Sequence, residues 1–289
     1  MTLDELLQQG WADHDAKTGE VADRLEANTG LVTDDESAAK LMQLANHCIG
    51  DHGGDPARAL RVCRAALATV GDDPGPAPMV WLAVACHLAG DTAGASEAEQ
   101  MAGATPAVAA RVKLLVAQGR MHAGDWPSAG ALYVEGINAA EALLEGNDAE
   151  RAAAVVSNNI ASELLQLESR TPEQDGWMER AANASRLFWL RVGNWVNDER
   201  ADYLLSLVHT ALGRADDGRA FAERGLQTIA DNGEEKVDEA FLHLACARAG
   251  RTQGDDAAHG ESLARADALA AGFDAGLKDW FAGQRVKAE

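Results

Sequence analysis

Five short turns built around a glycine recur along this 289-residue chain, and their spacing limits the folds it can adopt. Each turn glycine is followed by a polar residue, and successive turns lie 36, 34, 89 and 41 residues apart. Four of the turns also have a small residue five positions later and another twelve positions later. The turn glycines are Gly54, Gly90, Gly124, Gly213 and Gly254; the small residues are Ala59 and Ala66, Ala95 and Ala102, Ala129 and Gly136, and Gly218 and Gly225. Recurrence at this period predicts a repeat architecture in which each unit packs against its neighbours.

The segments between the turns have the signals of α-helices. Three helix starts pair a capping residue with a proline at the first helical position, namely Asp55-Pro56, Thr105-Pro106 and Thr171-Pro172. Gln174 is placed to complete a capping box with Thr171. Apolar residues recur with a period near 3.6, and no segment alternates as a half-buried strand does. The sequence therefore predicts an all-α protein.

The turn pattern resembles that of the tetratricopeptide repeat. The segments 88–95 (LAGDTAGA) and 123–129 (AGDWPSA) are most similar to it, and Tyr133 stands where the family favours an aromatic residue. The resemblance covers roughly residues 35–270, although the early Trp and Leu-Gly pair of the family are mostly missing. It implies antiparallel helix hairpins of about 34 residues, stacked into a right-handed α-solenoid. It also implies that small residues are needed where the two helices of a hairpin cross.

The domain prediction is one helical-repeat domain over residues 1–289. Residues 1–34 are expected to form an N-terminal helix pair, residues 35–271 the repeats, and residues 272–289 a capping helix and tail. Terminal helices of this kind are needed because a repeat buries its apolar face only against a neighbour.

Charge and cysteine content exclude several classes of partner and compartment. The formal net charge of −21 opposes binding to nucleic acid or to an anionic membrane surface. No apolar stretch approaches the roughly 18 residues of a membrane span. The four cysteines form no C-x-x-C motif and lie in apolar helical patterns, so buried free thiols are expected. The N-terminal residues do not resemble a signal peptide, and we expect a cytoplasmic protein.

The sequence contains no familiar catalytic motif, such as a nucleophile elbow, a phosphate-binding loop or a zinc-protease helix. We therefore expect a protein that is not an enzyme and needs no cofactor. Two short clusters, His47 with Asp51 and His52, and Asp13-His14-Asp15, contain potential metal ligands. Each cluster by itself lacks a full ligand set, so no metal site is predicted, and metal binding by the histidines is left open.

The resemblance also implies a ligand-binding surface, because the first helix of each hairpin lines the concave side of such proteins. Carrying the family's exposed positions onto this chain gives a groove of cationic, amide and imidazole side chains. The predicted groove residues are His87, Arg111, Gln118, His122, Asn158, Asn159, Arg200 and Tyr203, with Arg248 and Arg251 contributed by the last unit. Arginine offers a planar fork to a carboxylate, and asparagine offers a donor and an acceptor to a peptide bond. The family's own two-carboxylate clamp motif is not reproduced.

These observations leave three functional hypotheses. The first is a non-enzymatic scaffold whose groove binds an acidic or carboxylate-bearing protein or peptide. The second is a regulatory protein that senses a ligand through a change in its superhelix. The third is an enzyme or metal-binding protein that uses the histidines His47, His87 and His122.

Overall fold

The computed structural model describes residues 1–71 and 73–289 of the chain. The prediction of an all-α protein is confirmed, since the described residues contain helices and no strand. The chain divides into two compact units, Met1–Ala152 and Ala153–Glu289. No helix among the described residues is long and apolar enough to cross a membrane.

The first unit begins with a short helix pair and continues with longer hairpins. Its helices are α1 (Leu3–Asp13), α2 (Thr18–Ala27), α3 (Asp35–Ala45), α4 (Pro56–Leu67), α5 (Pro76–Ala89), α6 (Thr92–Met101), α7 (Pro106–His122) and α8 (Trp126–Ala142). A single 3₁₀ turn, Thr29–Leu31, precedes α3, and a π-helix, Asn46–His52, extends it. Helix α9 (Ala149–Gln166) begins in this unit.

The second unit contains most of α9 and six further helices. These are α10 (Pro172–Val192), α11 (Trp195–Ala211), α12 (Ala215–Asn232), α13 (Lys236–Gln253), α14 (Asp256–Ala270) and α15 (Ala275–Val286). Within this unit α11 packs against α12 and α13 against α14, while α11 also contacts α13. The same arrangement holds in the first unit, where α5 pairs with α6, α7 pairs with α8, and α5 contacts α7. Neighbouring helices thus pack in pairs, as in a helical repeat.

Local sequence signals account for the helix ends. The side chains of Asp55, Thr105 and Thr171 each accept a hydrogen bond from a backbone N–H in the first turn of the following helix. The reciprocal bond of the capping box, from the Thr171 N–H to Gln174, is 2.8 Å long. The five turn glycines all adopt positive φ, between 62° and 81°. Glycine is favoured there because a Cβ atom makes this backbone conformation costly.

The small residues of the turn pattern lie where helices meet. Ala59, Ala66, Ala95, Ala102 and Ala129 are all buried. At Gly225, on α12, a Cβ atom would lie 2.7 Å from the buried side chain of Leu242 on α13. The spacing therefore marks positions where a larger side chain would separate the packed helices.

The four cysteines are free and buried, as predicted. Burial raises the pKa of the Cys48 and Cys246 thiols to about 11 and that of Cys63 to about 12. The thiols therefore stay protonated and act as small apolar side chains.

The π-helix after α3 is the main departure from regular hairpin geometry. The N–H of Gly53 donates to the carbonyl of Cys48, five residues earlier, at 2.9 Å. In a π-helix, residues five apart lie about one turn apart, whereas an α-helix separates them by about 140° around its axis. His47 and His52 consequently face the same side of this segment.

Candidate binding groove

A groove of about 1270 Å³ lies within the second unit. It runs along α9, α11, α13 and α15, so its walls come from the first helices of successive hairpins and from the C-terminal helix. Three of the predicted groove residues, Asn158, Arg200 and Tyr203, line it, as do Arg248 and Arg251. We call this feature the second-unit groove.

The charge in the second-unit groove differs in sign from that of the whole chain. Four cationic side chains line it, Arg200, Arg248, Arg251 and Lys287, together with three acidic ones, Glu199, Asp238 and Glu289. Arg251 and Lys287 form no ion pair with any residue that the structure describes. The groove therefore offers cationic groups that internal partners do not neutralise.

Glu199 borders the groove but has no exposed surface. Burial, together with the neighbouring Asp238 carboxylate, raises its pKa to about 9, although Arg200 opposes the change. Neither carboxyl oxygen accepts a hydrogen bond from the described residues, and the Arg200 Nε lies 3.7 Å away. At neutral pH the Glu199 side chain is uncharged, so it does not offset the arginines.

The arginines differ in how they are held. Arg200 donates from Nε and Nη2 to one Asp238 oxygen, at 2.9 and 2.8 Å, so its fork already has a carboxylate partner. Arg248 is half-buried, and its Nη2 donates to the backbone carbonyl of Gln284 on α15 at 3.1 Å. The Arg248 Nε is buried and has no acceptor among the described residues. Arg248 thus belongs to the groove lining, but its Nε is closed off from a ligand there.

Aromatic side chains form another part of the groove. The rings of Phe241 and Trp280 lie 4.2 Å apart, and Trp280 remains 54% exposed. Tyr203 packs edge-on against Phe241, and burial raises its pKa. Asn158 lines the groove from α9, while its neighbour Asn159 is not among the lining residues. An exposed aromatic surface beside cations suits a ligand with both apolar and anionic groups.

The remaining predicted residues lie in the first unit and have other partners. His87 on α5 contacts Glu99 on α6, with its Nε2 at 2.7 Å from the carboxylate. Arg111 lies over the Trp81 ring at 5.9 Å, beside a pocket of about 450 Å³ that Asp35 and Lys40 also line.

Gln118 on α7 is only 9% exposed. The exposure that the repeat pattern predicts for Gln118 is therefore not observed. The adjacent Gly119 lies so near Leu88 on α5 that a Cβ atom there would be 2.6 Å from it.

His122, at the end of α7, lies beside other histidines. Its ring is 5.5 Å from that of His52 and 6.3 Å from that of His47. Burial lowers the pKa of His122. Among the described residues, the group that could hold a metal ion is His14, His47 and His52.

The contribution of α15 to the groove was not predicted from the sequence. Trp280, Gln284 and Lys287 line the groove from this helix, which was expected only to cap the repeats. Its amphipathic sequence indicates a packed helix but does not identify the helix that it contacts. The pairing of Arg200 with Asp238 was also missed, because these residues are 38 positions apart.

No family model matches the sequence, and neither does any curated protein. The fold is similar to a crystal structure of BtubC (BKLC) from P. vanneervenii, with a TM-score of 0.49 and 16% sequence identity. The similarity covers 86% of this chain and 93% of that chain. At this level of similarity we transfer no function from that protein.

Proposed function

We propose that this protein is a non-enzymatic, cytoplasmic binding protein of the tetratricopeptide-repeat type, with its hairpins in the right-handed arrangement of that family. We further propose that the second-unit groove binds an acidic or carboxylate-bearing segment of a partner protein. The observation that supports this most directly is the pair of groove cations, Arg251 and Lys287, that form no ion pair with the residues that the structure describes.

The size of the groove favours a peptide over a small molecule. Sites for drug-sized ligands measure about 300–1,000 Å³, whereas the second-unit groove has a volume of about 1270 Å³. Trp280 supplies an exposed aromatic surface for an apolar residue of the peptide, and the Asn158 amide supplies a donor and an acceptor for a peptide bond. The four free, buried thiols fit a reducing compartment.

The first test measures binding of a labelled, ten-residue peptide rich in Asp and Glu by fluorescence anisotropy, at about 0.15 M salt. A basic peptide of the same length serves as the comparison. We expect the acidic peptide to bind and the basic one not to bind. The proposal is contradicted if both bind equally or neither binds.

The second test replaces one arginine of the groove lining. Arg251→Ala should weaken binding of the acidic peptide by about 10- to 100-fold, the effect of losing a charge-assisted hydrogen bond of roughly 1.5–3 kcal/mol. The melting temperature should barely change, because Arg251 is exposed and forms no ion pair with the described residues. Arg265→Ala is the control, since Arg265 is also exposed and lies in the same unit but outside the groove; unlike Arg251, it pairs with Glu261 at 2.6 Å. Equal weakening by both variants would show attraction to general charge and would contradict binding in the groove.

A further inference from the structure

We propose that His14, His47 and His52 form a binding site for a divalent transition-metal ion of the zinc type, in the first unit. The three residues come from two segments of the chain. His14 follows α1, and the other two lie in the π-helix after α3. One ligand atom from each residue can be chosen so that all three lie within 4.8 Å of one another.

The distances suit a single ion. The Nε2 atoms of His47 and His52 are 3.1 Å apart. Two imidazole nitrogens bound to one tetrahedral zinc at about 2.0–2.1 Å would be about 3.3–3.4 Å apart. The π-helix makes this possible, because it brings residues 47 and 52 to the same side of the segment. Only a small adjustment of the two side chains is needed for both to bind one ion.

An oxygen atom of the kind that metal-ligating histidines use lies near the Nδ1 of each ring. The Nδ1 of His14 lies 2.7 Å from the backbone carbonyl of Trp11. The Nδ1 of His52 lies 3.2 Å from an Asp15 carboxylate oxygen, and that of His47 lies 3.6 Å from an Asp51 oxygen. Of these contacts, that of His14 is a hydrogen bond, while those of His52 and His47 are ion-pair distances. A proton on Nδ1 facing each oxygen would leave the Nε2 lone pairs for a ligand.

The tautomer with the proton on Nδ1 gives the cluster a reason to bind a cation, whereas the other tautomer lets one Nε2 donate a hydrogen bond to the other. A neutral histidine carries one ring proton, and with that proton on Nδ1 the Nε2 lone pairs of His47 and His52 face each other at 3.1 Å. Two acceptors at this distance repel each other. A cation between them removes the repulsion and satisfies both nitrogens.

The surroundings leave room for an exchangeable ligand. His14 and His47 are partly buried and His52 is at the surface, so the cluster is open on one side. Three nitrogen ligands leave the fourth tetrahedral position to water. Imidazole nitrogens suit zinc, copper or nickel rather than magnesium or calcium.

The test uses the full chain without a polyhistidine tag, stripped of metal with a chelator. Calorimetric titration with Zn²⁺ should give one ion per chain, and titration with Co²⁺ should give the intense visible absorption of a four-coordinate ion. The variant His47→Ala should lower zinc affinity by at least about 100-fold, and so should His52→Ala. His87→Ala is the matched control, because His87 is also partly exposed but lies outside the cluster, and it should bind as the wild type does.

A second readout separates ligand loss from misfolding. Zinc should raise the melting temperature of the wild type and of His87→Ala, since an ion that binds the folded state stabilises it, and should leave that of His47→Ala unchanged. Circular dichroism at 222 nm checks that each variant is folded.

The double variant Asp15→Asn/Asp51→Asn should bind one zinc with about 10- to 100-fold lower affinity. The proposal is overturned if wild type and the triple variant His14→Ala/His47→Ala/His52→Ala bind zinc alike, or if the cobalt spectrum remains that of the hydrated ion.

Discussion

At the scale of single residues, Glu199 shows how strongly the packed interior of the second unit alters a side chain. It lies on α11, next in sequence to the exposed Arg200, and yet it has no exposed surface. Its raised pKa, about 9, comes first from burial and second from the nearby Asp238 carboxylate, with Glu235 adding to the effect. The cost of a buried charge thus exceeds the attraction of the single arginine beside it.

The raised pKa of Glu199 predicts how stability depends on pH. In the unfolded chain this carboxyl loses its proton near 4.5, and in the folded protein near 9. Between these values the folded state holds the proton more tightly, so the contribution of Glu199 to stability falls as pH rises from about 4.5 to 9 and levels off above that. The variant Glu199→Gln, which cannot ionise, should remove this contribution.

The measurement is the melting temperature of wild type and of Glu199→Gln at intervals between pH 5 and pH 9. We expect the variant to gain stability relative to the wild type as pH rises. Arg200, Asp238 and Glu235 surround the site and are present in both proteins, so the difference between the curves isolates Glu199. If the difference between the two melting temperatures did not change with pH, Glu199 would already be ionised at pH 5.

At the scale of helices, two glycines inside helices differ in whether a neighbouring side chain occupies the space of a Cβ atom. Gly225 on α12 lies against Leu242, whereas Gly260 on α14 has no atom within 4 Å of the position of a Cβ atom. Alanine is about 1 kcal/mol more favourable than glycine in a helix interior when nothing obstructs its methyl group. The effect of the same substitution therefore depends on what the helix faces.

Gly225→Ala should destabilise the protein by about 1–3 kcal/mol, because Leu242 is fully buried and overpacking must displace it. Gly260→Ala should stabilise it by about 0.5–1 kcal/mol. Both residues lie in the second unit, so urea denaturation followed by circular dichroism compares them directly. A gain in stability for Gly225→Ala would mean that α12 and α13 are less closely packed than described.

Helix ends and turns could be predicted because they depend on residues close together in sequence. The caps at Asp55, Thr105 and Thr171 need only a side chain and the N–H groups of the next turn. The π-helix could not be predicted in this way, since its residues are also compatible with an α-helix. The histidine cluster illustrates the same limit: both of its segments contain visible metal ligands, but only the packing of the first unit brings them together.

The groove shows an intermediate case. The repeat spacing indicated which helices carry Asn158, Arg200 and Tyr203, and all three line the second-unit groove. The same spacing also predicted that Gln118 is exposed, but this residue is buried. A small error in rotation about a helix axis exchanges an exposed position for a buried one. Ion pairs between distant residues, such as Arg200 with Asp238, have no signal in a single sequence.

At the scale of the whole molecule, the net charge of −21 remains the dominant electrostatic property. The cations of the second-unit groove are a local exception within this acidic chain. Since affinity for nucleic acid depends on neutralising phosphates with Lys and Arg, an overall acidic protein should be repelled by it.

We therefore expect the protein not to retard double-stranded DNA in a gel-shift assay at about 0.15 M salt. A DNA-binding protein of known activity serves as the positive control in the same gel. Retardation by this protein would reveal a cationic surface larger than the second-unit groove, and the proposal of a peptide ligand would then need revision.

The burial of the cysteines has a practical consequence for studying motion. Three thiols, Cys48, Cys63 and Cys86, belong to the first unit, and one, Cys246, belongs to the second. A thiol that is buried and protonated reacts with an alkylating reagent only when its surroundings open. The rates at which these four side chains are labelled thus report the opening of each unit separately, in the unaltered chain. Cys48 lies between His47 and His52, so the protection of this one thiol also reports whether an ion holds the π-helix closed.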